Sequence, residues 1–220
     1  MTYSKTSSEV FDTWADDHRA DSMATSHWPV VRQAFALIPP TEGDYLEIGC
    51  GNGYGLQHMA THQFARGHCR GLDASVKMAD LAQERCRHLP NVTVEHGDFL
   101  TWDFRKHDFS LIFSMEVFYY FPDVQAGLDR AYALLKPGGQ LWVMVDFYEE
   151  NGHTLNWPQK LDTPMQRWSM EDYRQGFARA GFTAIEQRQF MDPAHQPSAP
   201  DDQGTLCTVG TKTATADERG

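Results

Sequence analysis

The stretch of the chain best suited to bind a ligand is rich in glycine, with a glycine at every second position from 49 to 55. It follows an apolar run, residues 45–48, that is typical of a buried strand, and a helical stretch comes next. Because glycine has no Cβ, backbone N–H groups in such a strand–turn–helix unit can closely approach a nucleotide-like ligand. The sequence therefore predicts a ligand site at the end of this strand.

The spacing of the glycines indicates which ligand is bound. A dinucleotide fingerprint requires G-x-G-x-x-G. Its third glycine would fall on Tyr54 when counted from Gly49, and on Leu56 when counted from Gly51. A nicotinamide-dependent oxidoreductase therefore stays an alternative that Tyr54 disfavours.

Two carboxylates follow the next two predicted strands. Asp73 can accept hydrogen bonds from both hydroxyls of an adenosine ribose, and Asp98 can accept one from the adenine amine, with Phe99 beside the ring. Asp73 lies 20 residues after Gly53, and Asp98 lies 25 residues after Asp73. Either aspartate could instead be a turn residue or a helix N-cap. Because parallel strands end at one edge of a sheet, the spacing favours a shared adenosine site.

Alternating strand and helix patterns must position these residues. Such alternation predicts an α/β fold with a doubly wound, mainly parallel sheet whose ligands lie beyond the carboxyl ends of the strands. Residues 136–139, K-P-G-G, are predicted to form a turn before the fifth strand. The seven predicted strands comprise residues 45–48, 67–73, 92–95, 109–114, 141–147, 183–190 and 205–212.

A helical cap is predicted before the first strand. Ser7 or Ser8 can N-cap its first helix, and its second helix is expected to start near Pro29, a favourable first-turn position. The connection after the fifth strand is long for a compact domain and is expected to be a lid or binding loop. The chain is interpreted as one domain, 1–220, divided into a cap (1–43), a ligand-binding core (44–147), an insertion (148–168), a C-terminal helix and strands (169–212) and a tail (213–220).

Composition excludes several classes of partner. The 19 basic and 30 acidic residues give a net charge of −11 with no Lys/Arg cluster, which disfavours nucleic acid. No apolar run approaches the ~20 residues of a membrane span, and the N-terminus lacks a signal-peptide core. The 4 cysteines include no C-x-x-C pair, which indicates free thiols in a cytoplasmic protein. His58 and His62 have the spacing of metal ligands but no evident third partner, so no metal is predicted.

Motifs in a characteristic order give the chain a family resemblance. The glycine-rich stretch with Glu47 matches [D/E]-x-G-x-G-x-G, and residues 135–139 read L-K-P-G-G. Over residues 44–147, these motifs and the two aspartates resemble the class I S-adenosylmethionine-dependent methyltransferases. The resemblance implies a Rossmann-like fold, S-adenosyl-L-methionine as cofactor and S-adenosyl-L-homocysteine as product. It implies cofactor contacts by Glu47, Gly49, Gly51, Gly53, Asp73, Ala74, Asp98, Phe99, Ser114 and Met115.

The resemblance also implies methyl transfer by in-line displacement, for which the protein aligns the reacting atoms and excludes water. Residues 114–117 read S-M-E-V, where many nucleic-acid methyltransferases have [D/N]-P-P-[Y/F]. This difference and the acidic charge favour a small-molecule acceptor that is methylated on N or O. No catalytic residue is identified, and His153 and His27 are candidate general bases. The predicted acceptor pocket comprises Trp14, His27, Trp28, Glu116, Tyr119, Tyr120, Tyr148, His153 and Trp157.

One alternative comes from a different class of function, namely a non-catalytic methyltransferase-like subunit that partners an active enzyme. The complete glycine and carboxylate positions argue against it, because a degenerate partner can lose them freely. The sequence leaves open whether the chain is a monomer or a homodimer.

Overall fold

A computed structural model describes residues 3–17, 19–105, 108–194 and 201–213. Its strands are β1 (Asp44–Ile48), β2 (Cys69–Asp73), β3 (Val92–His96), β4 (Phe109–Met115), β5 (Leu135–Val145), β6 (Phe182–Phe190) and β7 (Thr205–Lys212). Its helices are α1 (Ser7–Asp16), α2 (Arg19–Phe35), α3 (Tyr54–Thr61), α4 (Val76–Cys86), α5 (Val124–Leu134), α6 (Trp157–Leu161) and α7 (Met170–Ala180).

The described strands form one seven-stranded sheet in the order β3-β2-β1-β4-β5-β7-β6. The first five strands pair in parallel, and β7 runs antiparallel to both of its neighbours. This mainly parallel, doubly wound sheet confirms the predicted fold class. It also brings the carboxyl ends of β1, β2, β3 and β4 to one edge of the sheet.

Burial explains why β4 is apolar apart from Ser110 and Ser114. Its successive side chains point to opposite faces of the sheet, and all 7 of its residues are buried. Ile112 packs with residues of α5 and α7, whereas Leu111 and Phe113 pack with residues of α2, α3 and α4. Helices therefore cover both faces of the sheet, so neither face of the strand needs polar side chains.

The first helix has a different cap from the predicted one. Thr6, rather than Ser7 or Ser8, is the N-cap of α1. The Glu9 N–H donates to the Thr6 hydroxyl (3.3 Å), and the Thr6 N–H donates to the Glu9 carboxylate (2.8 Å). This reciprocal capping box satisfies two N–H groups at once, which a serine one or two residues later would not do with Glu9.

The prediction that the second helix starts near Pro29 is wrong, because α2 already begins at Arg19 and contains Pro29. Proline has no N–H, so the helix forgoes one hydrogen bond there. Ala20, Ala24 and Val31 are all buried and continue one apolar face through the proline. Burial of this face accounts for a helix that runs through Pro29.

The predicted turn at residues 136–139 lies inside β5 as a bulge. Phe109 pairs with Leu135, and Leu111 pairs with Gln140. Between these two pairs β5 therefore contains more residues than β4 does. Gly138 takes up the extra length with a φ of +76°, which glycine adopts without a steric penalty. Strand pairing on both sides of the turn makes β5 longer than the sequence indicates.

Contacts before α1 and near its middle hold the helix against the rest of the chain, and we call them the α1 clasp. Before the helix, the Lys5 N–H donates to the Asp162 carbonyl (3.1 Å), and the Ser4 N–H donates to the Asp162 carboxylate (3.2 Å). Near the middle of the helix, the Ser75 hydroxyl donates to the Asp12 carboxylate (2.5 Å). The clasp therefore joins the cap to the insertion on one side and to α4 on the other.

No helix among the described residues is long and apolar enough to cross a membrane. All four cysteines are buried and free. Beyond Thr213, the predicted tail lies outside the residues that the structure describes.

Candidate functional site

A cavity of about 560 Å³ lies at the carboxyl edge of the sheet, under the cap. Both Asp73 and Asp98 line it, as do Gly49 and Gly51. Residues of α1, α2 and the insertion close it from the other side. The glycine-rich stretch and the two aspartates that sequence spacing placed at one edge are therefore brought to one space, of a size typical for small-molecule sites.

The glycines of the loop have different tasks. The Gly51 N–H donates to the Asp73 carboxylate (2.8 Å), which ties the loop to the end of β2. A Cβ on Gly49 would lie 2.2 Å from Cγ2 of Val117, so only glycine fits there. Gly53 does not line the cavity; it begins α3 with a φ of +79°, and a Cβ there would lie 3.0 Å from Cα of Ala82 in α4.

Asp73 is buried and already organises backbone groups. Its carboxylate accepts the N–H groups of Gly51 and Ser75, each at 2.8 Å. Burial raises its pKa to about 6, and those two hydrogen bonds oppose the rise. Each carboxylate oxygen can accept a second hydrogen bond, so the group retains capacity for the two hydroxyls of a ribose. Ala74, the next residue, also lines the cavity.

Asp98 and Phe99 form another part of the wall. Asp98 is exposed, and its carboxylate accepts the Leu100 N–H (2.9 Å). Phe99 is buried beside it, with its ring stacked on Phe121 at 5.8 Å between centroids. A polar acceptor next to an apolar surface is suited to a heteroaromatic ring such as adenine.

Glu47 is a buried carboxyl group on the cavity wall, only 4% exposed. The Tyr45 hydroxyl donates to it (2.9 Å). Burial raises its pKa to about 8, and the neighbouring Asp73 adds to the rise. A Cβ on Gly55 would lie 2.7 Å from Glu47 Oε1, so the fourth glycine leaves room for this carboxyl group.

Glu116 is a second buried carboxyl group on the wall, directly after β4. It has a φ of +61°, a strained value for a residue with a side chain. The Tyr119 hydroxyl donates to Oε2 (2.8 Å), and the Asp146 N–H donates to Oε1. Burial, together with the Asp146 charge, raises the pKa of Glu116 well above its usual range.

Of the two candidate bases predicted from the sequence, His27 lies on the cavity wall. Burial lowers its pKa, against the opposing effect of Asp146, so the imidazole is neutral near pH 7 and can accept a proton. His153 lies in the insertion away from this wall, with Nδ1 3.8 Å from the Asp202 carboxylate.

The structure brings only part of the predicted acceptor pocket to the cavity. Trp28 packs edge-on against Phe35 at 6.4 Å, and Trp157 stacks on Phe147 at 6.5 Å. Among the predicted cofactor residues, Ser114 is fully buried and donates to the Ile48 carbonyl (3.2 Å), whereas Met115 lines the cavity. The predicted acceptor residues that line the cavity are His27, Glu116 and Tyr120. Those that lie elsewhere are Trp14, Trp28, Tyr119, Tyr148, His153 and Trp157.

Several cavity residues were not predicted from the sequence. Phe11 and Met23 enter from the cap, Tyr54 from α3, and Thr163 from the insertion. Tyr54 lies between Gly53 and Gly55, so its place in the chain was a usable signal. Thr163 is fully buried, and its hydroxyl has no hydrogen-bond partner among the described residues. Nothing in the local sequence distinguishes this threonine from an ordinary loop residue.

Comparison with known proteins places this geometry in a family. A family model described as a methyltransferase domain matches residues 17–187. A solved structure from Haloferax volcanii, a putative methyltransferase in complex with the Trm112 methyltransferase activator, is 31% identical with a TM-score of 0.84. That match covers 93% of this chain and 98% of the other.

Two further proteins that the chain resembles in sequence or fold are named for different acceptors. The trans-aconitate 2-methyltransferase of Variovorax paradoxus is 31% identical over 126 residues, which are 56% of this chain and 47% of that protein. The phosphoethanolamine N-methyltransferase 2 of Haemonchus contortus, solved with S-adenosyl-L-methionine, is 18% identical with a TM-score of 0.72, covering 93% of this chain and 60% of the other. The chain matches less than half the length of the first curated relatives.

Proposed function

The chain belongs to the S-adenosylmethionine-dependent methyltransferases, and we propose that it transfers the methyl group of that cofactor to nitrogen or oxygen of a small molecule. The observation that supports this most is the shared cavity of Asp73, Asp98 and the glycine-rich loop. When bound, the cofactor supplies a methyl group already activated by a sulfonium charge. The protein must therefore orient an acceptor and exclude water, which can contribute ~7–11 kcal/mol to the rate.

The residues divide between two halves of the cavity. Asp73 would hold the ribose and Asp98 with Phe99 the adenine, while Glu47, Gly49 and Gly51 would face the methionine part. The fit is supported by the free acceptor capacity of Asp73 and by the buried carboxyl group of Glu47 on the same wall. His27, Glu116 and Tyr120 would face the acceptor. No described residue of the cavity demands a macromolecular substrate.

Isothermal titration calorimetry of the purified chain with S-adenosyl-L-homocysteine tests this proposal. We expect saturable binding to one site per chain and much weaker binding of NADH. Absence of binding at millimolar S-adenosyl-L-homocysteine would remove the proposal, and tight NADH binding would revive the oxidoreductase alternative.

A second candidate is a methyltransferase subunit that acts with a protein partner. It is favoured by one observation, the relative found in complex with an activator protein. Light scattering and a methylation assay on the isolated chain separate the candidates. A monomer or homodimer that methylates small molecules alone supports the first, whereas an isolated chain that binds cofactor and stays inactive supports the second. The buried free thiols favour a cytoplasmic location for either.

A further inference from the structure

We propose that the methyl acceptor is a small amine whose nitrogen binds the Glu116 carboxyl group and whose second polar group meets the Thr163 hydroxyl. This inference rests on the proposed function and names the substrate class for the same cavity.

The charges around the cavity favour a cation. Glu47, Asp73, Asp98 and Glu116 line it, and none of the described lining residues is a lysine or an arginine. A carboxylate or phosphate on the acceptor would face these acids with no positive side chain to balance it. An amine, which enters as an ammonium ion, meets carboxyl groups that can take the complementary charge instead.

Glu116 is the one of these four acidic residues for which we propose no contact with the cofactor. Each of its oxygens accepts one hydrogen bond, from Tyr119 and from the Asp146 N–H, so each retains a lone pair. The groups that face it are Asp146 from the end of β5, Tyr54 from α3, Tyr119 and Tyr120 from the turn after β4, and Tyr173 from α7. None of them is a cation, so the carboxyl group gains a cationic partner only when a positively charged ligand binds.

The contact with Glu116 also gives the acceptor nitrogen the uncharged form that it needs to react. Burial raises the pKa of Glu116 and so favours its protonated form in the free protein. When an ammonium ion binds, one proton leaves to solvent and the remaining one is shared between Glu116 and the nitrogen. With that proton on Glu116, the nitrogen lone pair forms the bond to the methyl carbon as the carbon–sulfur bond breaks. Sulfur keeps that electron pair, and the methylated product leaves as an ammonium ion.

Thr163 provides an independent indication of a polar ligand. It is 0% exposed, it lines the same cavity, and its hydroxyl has no partner among the described residues. Three residues later, the Gln166 N–H donates to the Tyr119 carbonyl (2.7 Å), so this segment packs against the residue that holds Glu116. A polar group of the acceptor would remove the cost of the unpaired hydroxyl.

The test titrates matched ligands into the protein saturated with S-adenosyl-L-homocysteine, a complex that cannot react. The ligands are 2-phenylethylamine, 2-phenylethanol and phenylacetate, together with 2-(4-hydroxyphenyl)ethylamine and its alcohol and acid counterparts. We expect each amine to bind about tenfold or more tightly than its counterparts and to release one proton per amine, measured in two buffers of different ionisation enthalpy. Glu116→Gln should lose this preference for amines but keep its S-adenosyl-L-homocysteine affinity within about twofold. The control Glu42→Gln, whose side chain is 81% exposed, should keep both the preference and that affinity.

Failure of the inference differs from failure of the proposed function. If no amine outbinds its matched alcohol and acid, if proton release is absent, or if Glu116→Gln keeps the preference, the inference is overturned although the cofactor still binds. Proton release is measured on the unaltered chain, so it decides the matter even if Glu116→Gln does not fold. Loss of S-adenosyl-L-homocysteine binding by the unaltered chain would instead remove the function itself.

Discussion

The buried carboxyl group of Glu47 should give the cofactor-free protein a distinctive pH dependence of stability. Among the described residues its one hydrogen bond comes from Tyr45, and burial raises its pKa from 4.5 to about 8. Between these values the folded protein keeps a proton that the unfolded chain has lost. The free energy of unfolding therefore falls as the pH rises through this interval and levels off above about 8. At 1.36 kcal/mol per pH unit, the interval amounts to roughly 5 kcal/mol.

Glu47→Gln removes this titration and can still accept the Tyr45 hydrogen bond. Relative to the unaltered chain, we expect the variant to gain stability steadily as the pH rises, by up to roughly 5 kcal/mol near pH 8. Urea denaturation from about pH 5 to about pH 8, without cofactor, measures the difference. The control Glu42→Gln should stay within about 0.5 kcal/mol of the unaltered chain throughout. A difference for Glu47→Gln that does not grow with pH would refute the reasoning that burial governs this group.

Three more perturbations test other parts of the site. Asp73→Ala should weaken S-adenosyl-L-homocysteine binding by ~1–3 kcal/mol, because ribose hydroxyls lose their acceptor; an unchanged dissociation constant in calorimetry would count against the ribose assignment. Thr163→Val should raise the free energy of unfolding by about 1 kcal/mol, because it removes an unpaired buried hydroxyl; a loss of stability in urea would mean that the hydroxyl is paired. Asp162→Gly tolerates the φ of +51° but removes the carboxylate that Ser4 binds, so stopped-flow measurements should show faster S-adenosyl-L-homocysteine dissociation. Asp162→Asn, which keeps an acceptor, is the control, and equal rates in the two variants would contradict a role for the α1 clasp.

The fold was predictable where geometry leaves few choices. Alternating apolar runs and helical stripes indicate a parallel sheet, and β7 has the predicted bounds, Thr205–Lys212. The parallel arrangement then forces strand ends together, so Asp73 and Asp98 could be placed at one cavity before any coordinates were known. The predictions of element bounds were wrong where tertiary packing overrides a local sequence signal. Pro29 predicts a helix start, yet a buried face continues through it.

The acceptor side of the cavity was less predictable for a physical reason. An aromatic residue such as Trp157 can fill a core or line a ligand site, and composition alone does not distinguish the two. The residues that reach the cavity from the cap and the insertion, among them Phe11 and Thr163, do so because the α1 clasp fixes segments far apart in sequence. Contacts over such separations leave no periodic pattern in the chain.

The α1 clasp implies that different parts of the chain bind the cofactor and the acceptor. The strand ends that meet the adenosine belong to the sheet, and a change there would disturb the whole core. Phe11, Met23 and Thr163 come from segments that add no strand to the sheet. Evolution could thus retune the substrate through the cap and the insertion while the scaffold stays constant, which fits relatives that are named for different acceptors. Laboratory evolution of new specificity should begin with the same two segments.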